Sequence, residues 1–429
     1  MKDNLSILTV NLSVMLVTSM FLISCDHSSR ELKSKDLHER SGVQNTFFKL
    51  KNQDTVKVAY LGGSITAQSG WRVYSLKWFR ENYPETTVVE INAAIGGTGS
   101  DFGVYRLQDH VLQYDSDLVF VEFAVNDAST NPETISQSME GIIHQIWQQD
   151  PMIDICFIYT IKSDFIETYE KDSLPSSIAT MEEIADYYQI PSINFGYKVL
   201  RRVNQGKLLF KGDEAAKDTI RVFSPDGVHP YPDSGHKIYE EVFIEAFNQM
   251  KTNSGNKIVP HKVPQPLTPD ISTNTKMFSW TEIKNNRVLT PVIVGDDPEF
   301  KKFRNYFESV GVGEPGDSIT IQFSGRSIGF YDLMGPGGGT VQLTLDGQPK
   351  KTFSRFDKYC TYWRISYKTV TGLRDTVHTA VFKVLDKSID KKEILSERDN
   401  TMENEGEYVN RNWYLAKVLV DGDLIDNQE

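Results

Sequence analysis

The 429-residue chain is 39% hydrophobic, and its Tyr, Phe and Trp residues are spread along the whole length, which describes folded globular material in two domains rather than disorder. A net charge of −12 and a pI near 5.3 leave no broad basic surface and no compensating run of Lys and Arg, which excludes nucleic acid as a partner and disfavours anionic lipid surfaces. The three cysteines, Cys25, Cys156 and Cys360, form neither a disulfide framework nor a zinc pattern.

The first element is an apolar stretch from Leu5 to Ser24, preceded by Lys2. Its end, Leu22-Ile23-Ser24-Cys25, resembles a bacterial lipoprotein lipobox, in which the cysteine becomes the lipidated first residue of the mature chain. An uncleaved anchor is the competing reading; the cysteine's position favours a cleaved signal over residues 1–24. Either way the body is expected outside the cytoplasm, tethered to the membrane of a bacterial cell envelope, periplasm-facing or on the cell surface. Residues 25–55, polar and charged, read as a spacer.

From Val56 to Met250, β-branched runs alternate with amphipathic segments, the sign of a parallel sheet flanked by helices. Strands are expected at Val56 to Leu61, Thr87 to Asn92, Asp117 to Phe123, Ile153 to Thr160 and Ile190 to Asn194. Val104, Leu107, Val111 and Tyr114 fall at helical spacing, as do Ile135, Met139, Ile142, Ile143, Ile146 and Trp147. A last helix follows Pro232 and Asp233. Residues 56–250 are thus expected to be a three-layer, flavodoxin-like α/β domain, with ligands outside the carboxyl ends of its strands. Residues 251–270 carry Pro260, Pro264, Pro266 and Pro269 without periodicity and read as a stiff linker. Beyond it Ile319, Ile321 and Phe323, then Val341, Leu343 and Leu345, repeat with period two, and Asp346-Gly347 signals a hairpin. Residues 271–429 are expected to form an all-β domain, a β-sandwich or jelly roll.

Several segments at strand ends carry residues able to do chemistry. A serine hydroxyl needs an imidazole to take its proton and a carboxylate to orient that imidazole. Asp226-Gly227-Val228-His229 offers both partners two residues apart, and Gly62-Gly63-Ser64 offers the hydroxyl directly after a strand. Alone, the Gly-Gly-Ser turn is a plain strand-to-helix connection. Asn92-Ala93-Ala94-Ile95-Gly96-Gly97-Thr98-Gly99 follows the second strand; its glycines serve a tight turn or let a backbone N–H approach a reacting carbonyl. Asn126, after the third strand, caps a turn or contributes a side-chain amide to the same place.

Together these four segments resemble the SGNH hydrolase superfamily, also called GDSL esterases, over residues 56 to 250. The resemblance implies Ser64 as nucleophile, His229 as general base and then acid, and Asp226 as the residue orienting it. It implies an oxyanion hole from the N–H of Ser64, Gly97 and Asn126, with Gly97 chosen by aligning Asn92 with the Asn that often precedes this block. Two positions depart from the family pattern: Gly63 stands where Gly-Asp-Ser has Asp, and Ala124 where Gly-x-Asn has Gly. No cofactor is implied. A metal held by Asp226, His229 and His236 lacks a fourth ligand at sensible spacing, so none is expected. Trp71 and Arg72 line the substrate site or pack the first helix; His236 reads as a helix-face or supporting residue, Cys156 as a buried small residue, and Gly335 to Gly339 as a loop.

The segments bordering the site, Ala128 to Glu140 and Ser163 to Ser177, are polar, which suits a short acyl group on a hydrophilic alcohol better than a lipid. The resemblance to bacterial carbohydrate O-acetylesterases of this superfamily makes an acetylated oligo- or polysaccharide the expected partner, with no inference about oligomeric state. A lysophospholipase or thioesterase, and a non-catalytic glycan-binding lipoprotein, are the alternatives. Tyr359, Tyr362, Trp363 and Trp413 stack on sugar rings or belong to the β-domain core, and the many buried aromatics of β-strands favour core.

Overall fold

The computed structural model describes residues 36–213, 220–284 and 286–425. The expected signal segment and Cys25 lie outside the described residues; among those described, no helix is long and apolar enough to cross a membrane. The chain divides into two compact units, one of residues up to Ser100 and His110–Ile271, the other of Asp101–Asp109 and Ser272 onward.

The first unit is built on a six-stranded sheet. Its strands are β1 (Leu37–His38), β2 (Thr55–Gly62), β3 (Thr87–Ala94), β4 (Leu118–Glu122), β5 (Asp154–Tyr159) and β6 (Ser192–Asn194), in the order β1-β6-β5-β4-β2-β3. All neighbours are parallel except β1, which runs antiparallel to β6. Leaving β1 aside, the order is that of a flavodoxin-like sheet, with the chain reversing direction across the sheet beside β2. β4 and β5 are buried at every position, which is why their sequences are continuous apolar runs rather than alternating ones. A separate two-stranded parallel sheet, β7 (Leu208–Lys211) and β8 (Arg221–Ser224), precedes Asp226. This short sheet lies outside the five strands expected from the sequence.

Helices α1 (Gln44–Asn52), α2 (Ser64–Ala67), α3 (Trp71–Asn82), α4 (Pro132–Gln149), α5 (Ser176–Tyr188), α6 (Gly196–Asn204) and α7 (Gly235–Asn253) complete the layers. On one side α3 and α1 pack against α7, with Trp78, Phe79, Phe243 and Phe247 meeting edge-on or stacked and Phe47 against Phe247. Elsewhere α4 packs on α5. Asn131 caps α4 through the Glu133 N–H with Pro132 at the first helical position, the arrangement that best fits a proline's missing donor.

The expected spacer is shorter than 25–55. From Asp36 onward the chain belongs to the α/β unit: Arg201 pairs with Asp36, the Thr46 N–H donates to Asp154 (2.6 Å), and Lys49 pairs with Asp117 (2.8 Å). Val43, Phe47 and Leu50, spaced as one helix face, are buried. The proline-rich stretch is also held on this unit. Asn45 exchanges two hydrogen bonds with the backbone of Val259, His261 stacks on Trp147, and the N–H groups of Leu267 and Thr268 donate to Glu140.

In the second unit the strands are β9 (Thr275–Ser279), β10 (Thr290–Ile293), β11 (Ser309–Gly313), β12 (Ser318–Met334), β13 (Thr340–Leu345), β14 (Gln348–Ser354), β15 (Arg364–Val370), β16 (Thr376–Val384) and β17 (Trp413–Leu424), paired antiparallel throughout. The long β12 pairs with β17 on one side and with β16 and then β15 on the other. The inward positions, Ile319, Ile321, Phe323, Val341, Leu343 and Phe382 among them, form the core that the period-two pattern called for. Arg355 grips Asp332 with two hydrogen bonds at 2.7 and 2.6 Å, and Trp413 donates to the same carboxylate, so this buried pair is fully satisfied. Trp413 and Trp363 are buried, whereas Tyr359 and Tyr362 are exposed.

Residues Asp101–Asp109 belong to this unit, not to the α/β domain expected over 56–250. Phe102 stacks on Tyr367 (4.5 Å between centroids), the Tyr105 hydroxyl meets Ser327, Tyr367 donates to Asp101 (2.6 Å), and Lys417 pairs with Asp109. The single helix expected through Val104, Leu107, Val111 and Tyr114 is replaced by short turns at Ser100–Gly103, Leu107–His110 and Leu112–Tyr114.

Candidate active site

Ser64 opens α2 directly after β2, the strand lying between β3 and β4. The segments from the carboxyl ends of those neighbours converge on it. Following β3, Gly96 lies against Ser64, since a Cβ there would sit 3.5 Å from the Ser64 Cβ. The peptide from Gly96 to Gly97 therefore begins beside the serine, and its N–H belongs to Gly97, whose φ of +75° requires glycine in this turn. Following β4, Asn126 brings its amide against Gly63: a Cβ on Gly63 would fall 2.0 Å from Asn126 Oδ1. In this chain any side chain at 63 would therefore displace the amide of Asn126.

The Ser64 hydroxyl lies 2.8 Å from His229 Nε2, and His229 Nδ1 lies 2.7 Å from Asp226 Oδ2. An ionised carboxylate only accepts, so Nδ1 carries the hydrogen and Nε2 presents its lone pair to the serine O–H. The other oxygen of Asp226 accepts from the N–H groups of Val228 and His229, both at 2.8 Å, and from the Ser224 hydroxyl at 3.0 Å. Burial works against ionisation of Asp226, but the His229 ring, these N–H groups and Ser224 outweigh it and hold the carboxyl well below its usual range. The tight Asp-x-x-His spacing is thus a turn in which the carboxylate caps its own loop while aiming the imidazole.

Residues that sequence reasoning did not single out support this arrangement. Ser224 accepts the Gly227 N–H while donating to Asp226, a role signalled by its place two residues before the acid. Asp127, fully buried, accepts the Ser100 N–H at 3.1 Å, which pins the far end of the glycine turn to the loop carrying Asn126. Two expected lining residues are elsewhere. Trp71 is fully buried between Tyr60, Phe120 and Phe195, and Arg72 braces the Thr66 carbonyl and Glu90, so both pack the first helix instead of lining a substrate site.

His236 is buried at the start of α7. Its Nδ1 accepts the Trp71 N–H at 3.1 Å, leaving Nε2–H to donate to Gln68. Burial first, and the nearby His229 second, bring its pKa down from 6.5 to about 3. The unfolded chain therefore takes up this proton at a higher pH than the folded one, so the contribution to stability is complete above 6.5 and is lost as pH falls through the window toward 3. At about pH 4.5 the loss is on the order of 2–3 kcal/mol. The melting temperature is expected to fall across this range, and a calorimetric series on His236→Gln should show a shallower fall.

Residues 60–238 match the model of the GDSL-like Lipase/Acylhydrolase family. The α/β unit thus carries the match to a GDSL-like lipase/acylhydrolase domain. Among solved structures, a two-domain esterase (CEX) active on acetylated mannans matches over 92% of this chain and 99% of its own, with 19% identity and a TM-score of 0.69. The same esterase co-crystallised with mannopentaose matches with 20% identity and a TM-score of 0.67 over the same shares. At that identity the likeness concerns the fold, and it extends through both the α/β and the all-β units. No curated protein matches the chain.

Proposed function

We propose that the chain is a serine esterase that removes short acyl groups, O-acetyl foremost, from carbohydrate through an acyl-Ser64 intermediate. The observation that carries this reading is the hydrogen-bonded series from Ser64 through His229 to Asp226 at the carboxyl edge of the sheet. His229 takes the Ser64 proton as the oxygen attacks the ester carbonyl, then gives it to the leaving sugar oxygen; a water, deprotonated by the same imidazole, attacks the acyl-Ser64 carbonyl, and the proton passes to Ser64 Oγ as acetate leaves. The N–H groups of Ser64 and Gly97 and the Asn126 amide stabilise the negative oxygen of each tetrahedral intermediate. Asn126→Ala is expected to lower kcat about 10²- to 10³-fold with KM nearly unchanged, the signature of a donor used mainly in the transition state. Steady-state kinetics on p-nitrophenyl acetate checks it.

A hydrophilic substrate is supported by the segment beside the Asp226–His229 turn. Ser163 donates its N–H to the Gly227 carbonyl, and around it Asp164, Glu167 and Lys171 are exposed while Phe165 and Tyr169 are buried. No apolar lane for a long acyl chain is offered there. The fold shared with an esterase active on acetylated mannans makes acetylated mannan the first polysaccharide to test, beside acetylated xylan and pectin. Acetate release from one of these, with a p-nitrophenyl ester series falling off beyond short chains, is the expected result; a preference for long chains would instead identify a lysophospholipase or thioesterase. Lipid attachment at Cys25 would keep the enzyme at the cell envelope, and loss of fatty-acid labelling in Cys25→Ala tests that attachment.

A further inference from the structure

Glu122 is the last residue of β4, paired in register with Gly62, two residues before Ser64. Its side chain is fully buried in an otherwise apolar strand. The Thr66 hydroxyl, one turn into the helix that Ser64 opens, donates to Oε2 at 2.7 Å, and the Thr160 hydroxyl oxygen, just past β5, lies 2.7 Å from Oε1, where the neutral acid carries its hydrogen. The Gly63 N–H donates to the Glu122 carbonyl, and Trp71 Nε1 donates to Thr66. One carboxyl thus joins the ends of three strands beneath the serine turn.

We infer that Glu122 is a positioning residue for Ser64 that works as the uncharged acid: it fixes the turn carrying the nucleophile, and its ionisation opposes the reaction. The inference rests on the role proposed for Ser64. The groups acting on the carboxyl are its burial, Thr66, Thr160 and the Gly63 N–H, with no cation among them. From α7 the titratable neighbour is Tyr239, itself buried and held neutral. Burial, only partly offset by the hydroxyls and the N–H, pushes Glu122 up to about 7. A carboxylate formed there would place negative charge under the site where the substrate oxygen becomes negative, which raises the barrier.

The test is a set of pH profiles of kcat/KM on p-nitrophenyl acetate for wild type, Glu122→Gln and Glu122→Ala. Glutamine copies the neutral acid, so Glu122→Gln is expected to keep wild-type kcat within about twofold at about pH 6. It should also lack the alkaline decline that the wild type shows, about tenfold between about pH 7 and about pH 9. Glu122→Ala, which frees the turn, should lose about 10- to 100-fold in kcat with KM within about twofold. A Glu122→Gln profile superimposable on wild type would overturn the inference, as would a glutamine variant as impaired as the alanine variant at every pH. If the alanine variant does not fold, the glutamine profile decides alone. Ser64→Ala runs in parallel: full activity there overturns the serine reading itself, whereas its inactivity beside unaltered Glu122 variants overturns only the positioning role.

Discussion

Ser64→Ala is expected to lose on the order of 10⁵-fold or more in kcat for acetyl-ester hydrolysis, leaving only what the oxyanion donors and substrate binding provide over water. The size of the effect follows from what the hydroxyl does. In the proposed mechanism it is the atom acylated, and among the described residues it is the hydroxyl that lies opposite His229 Nε2, at 2.8 Å. The fold should survive, because the serine side chain is only partly buried and alanine suits the first turn of a helix. Circular dichroism and saccharide binding unchanged beside lost acetate release would complete the expected pattern. Retained acetate release would remove the acyl-serine mechanism, and inertness of the wild type itself toward every acyl ester would favour a glycan-binding protein.

The second large effect is expected at Asp226→Asn, about 10³-fold in kcat with little change in KM. An asparagine amide can donate to Nδ1, which favours the tautomer with its hydrogen on Nε2 and turns the lone pair away from Ser64. Fully buried carboxylates in this position cost about 10⁴-fold when so replaced. Asp226, with 51% of its side chain exposed, is expected to cost less, because water can compete for the ring nitrogen and release the wrong tautomer. Because hydrogen bonds hold Asp226 charged well below the ordinary carboxylate range, its protonation should not shape the acid side of the wild-type profile. Single-turnover kinetics with p-nitrophenyl acetate would locate the loss in acylation and deacylation alike, since His229 serves both in the proposed mechanism. A loss confined to KM would contradict the orienting role.

The grouping of Ser64, Asp226 and His229, and the place of Asn126 beside Gly63, were legible in the sequence because each sits in a short local pattern at a strand end, where backbone geometry aims the side chain with little help from distant residues. The five main strands were legible for a similar reason, since apolar runs such as Leu118–Glu122 have few other uses. Glu122 itself stood within such a run, and a lone acid there was the signal for a buried polar contact, although its partners Thr66 and Thr160 are chosen only by the fold. Trp71 and Arg72 were ambiguous because three residues of helix decide between core and cleft. α1 was hidden by its Gln, Asn and Lys content despite the spacing of Val43, Phe47 and Leu50. The segment near Val104 showed helical periodicity, yet the β unit covers its apolar residues in another way: Phe102 lies on Tyr331 and Tyr367, while Tyr114 is left 47% exposed. Periodicity records which residues are covered, not what covers them.

The membership of Asp101–Asp109 in the β unit has a consequence for how the chain is made. Tyr105 emerges from the ribosome 222 residues ahead of Ser327, the partner of its hydroxyl. At ordinary translation speeds that is a wait of about 10 to 45 seconds during which Phe102 and Tyr105 have nowhere to bury their rings. The α/β unit is interrupted by this segment, so stopping the chain after Ile271 would make the wait permanent. Synthesis of the β strands is therefore a late step in completing a loop that starts four residues after Gly97, and a nascent chain should depend on chaperones until β12 and β15 arrive.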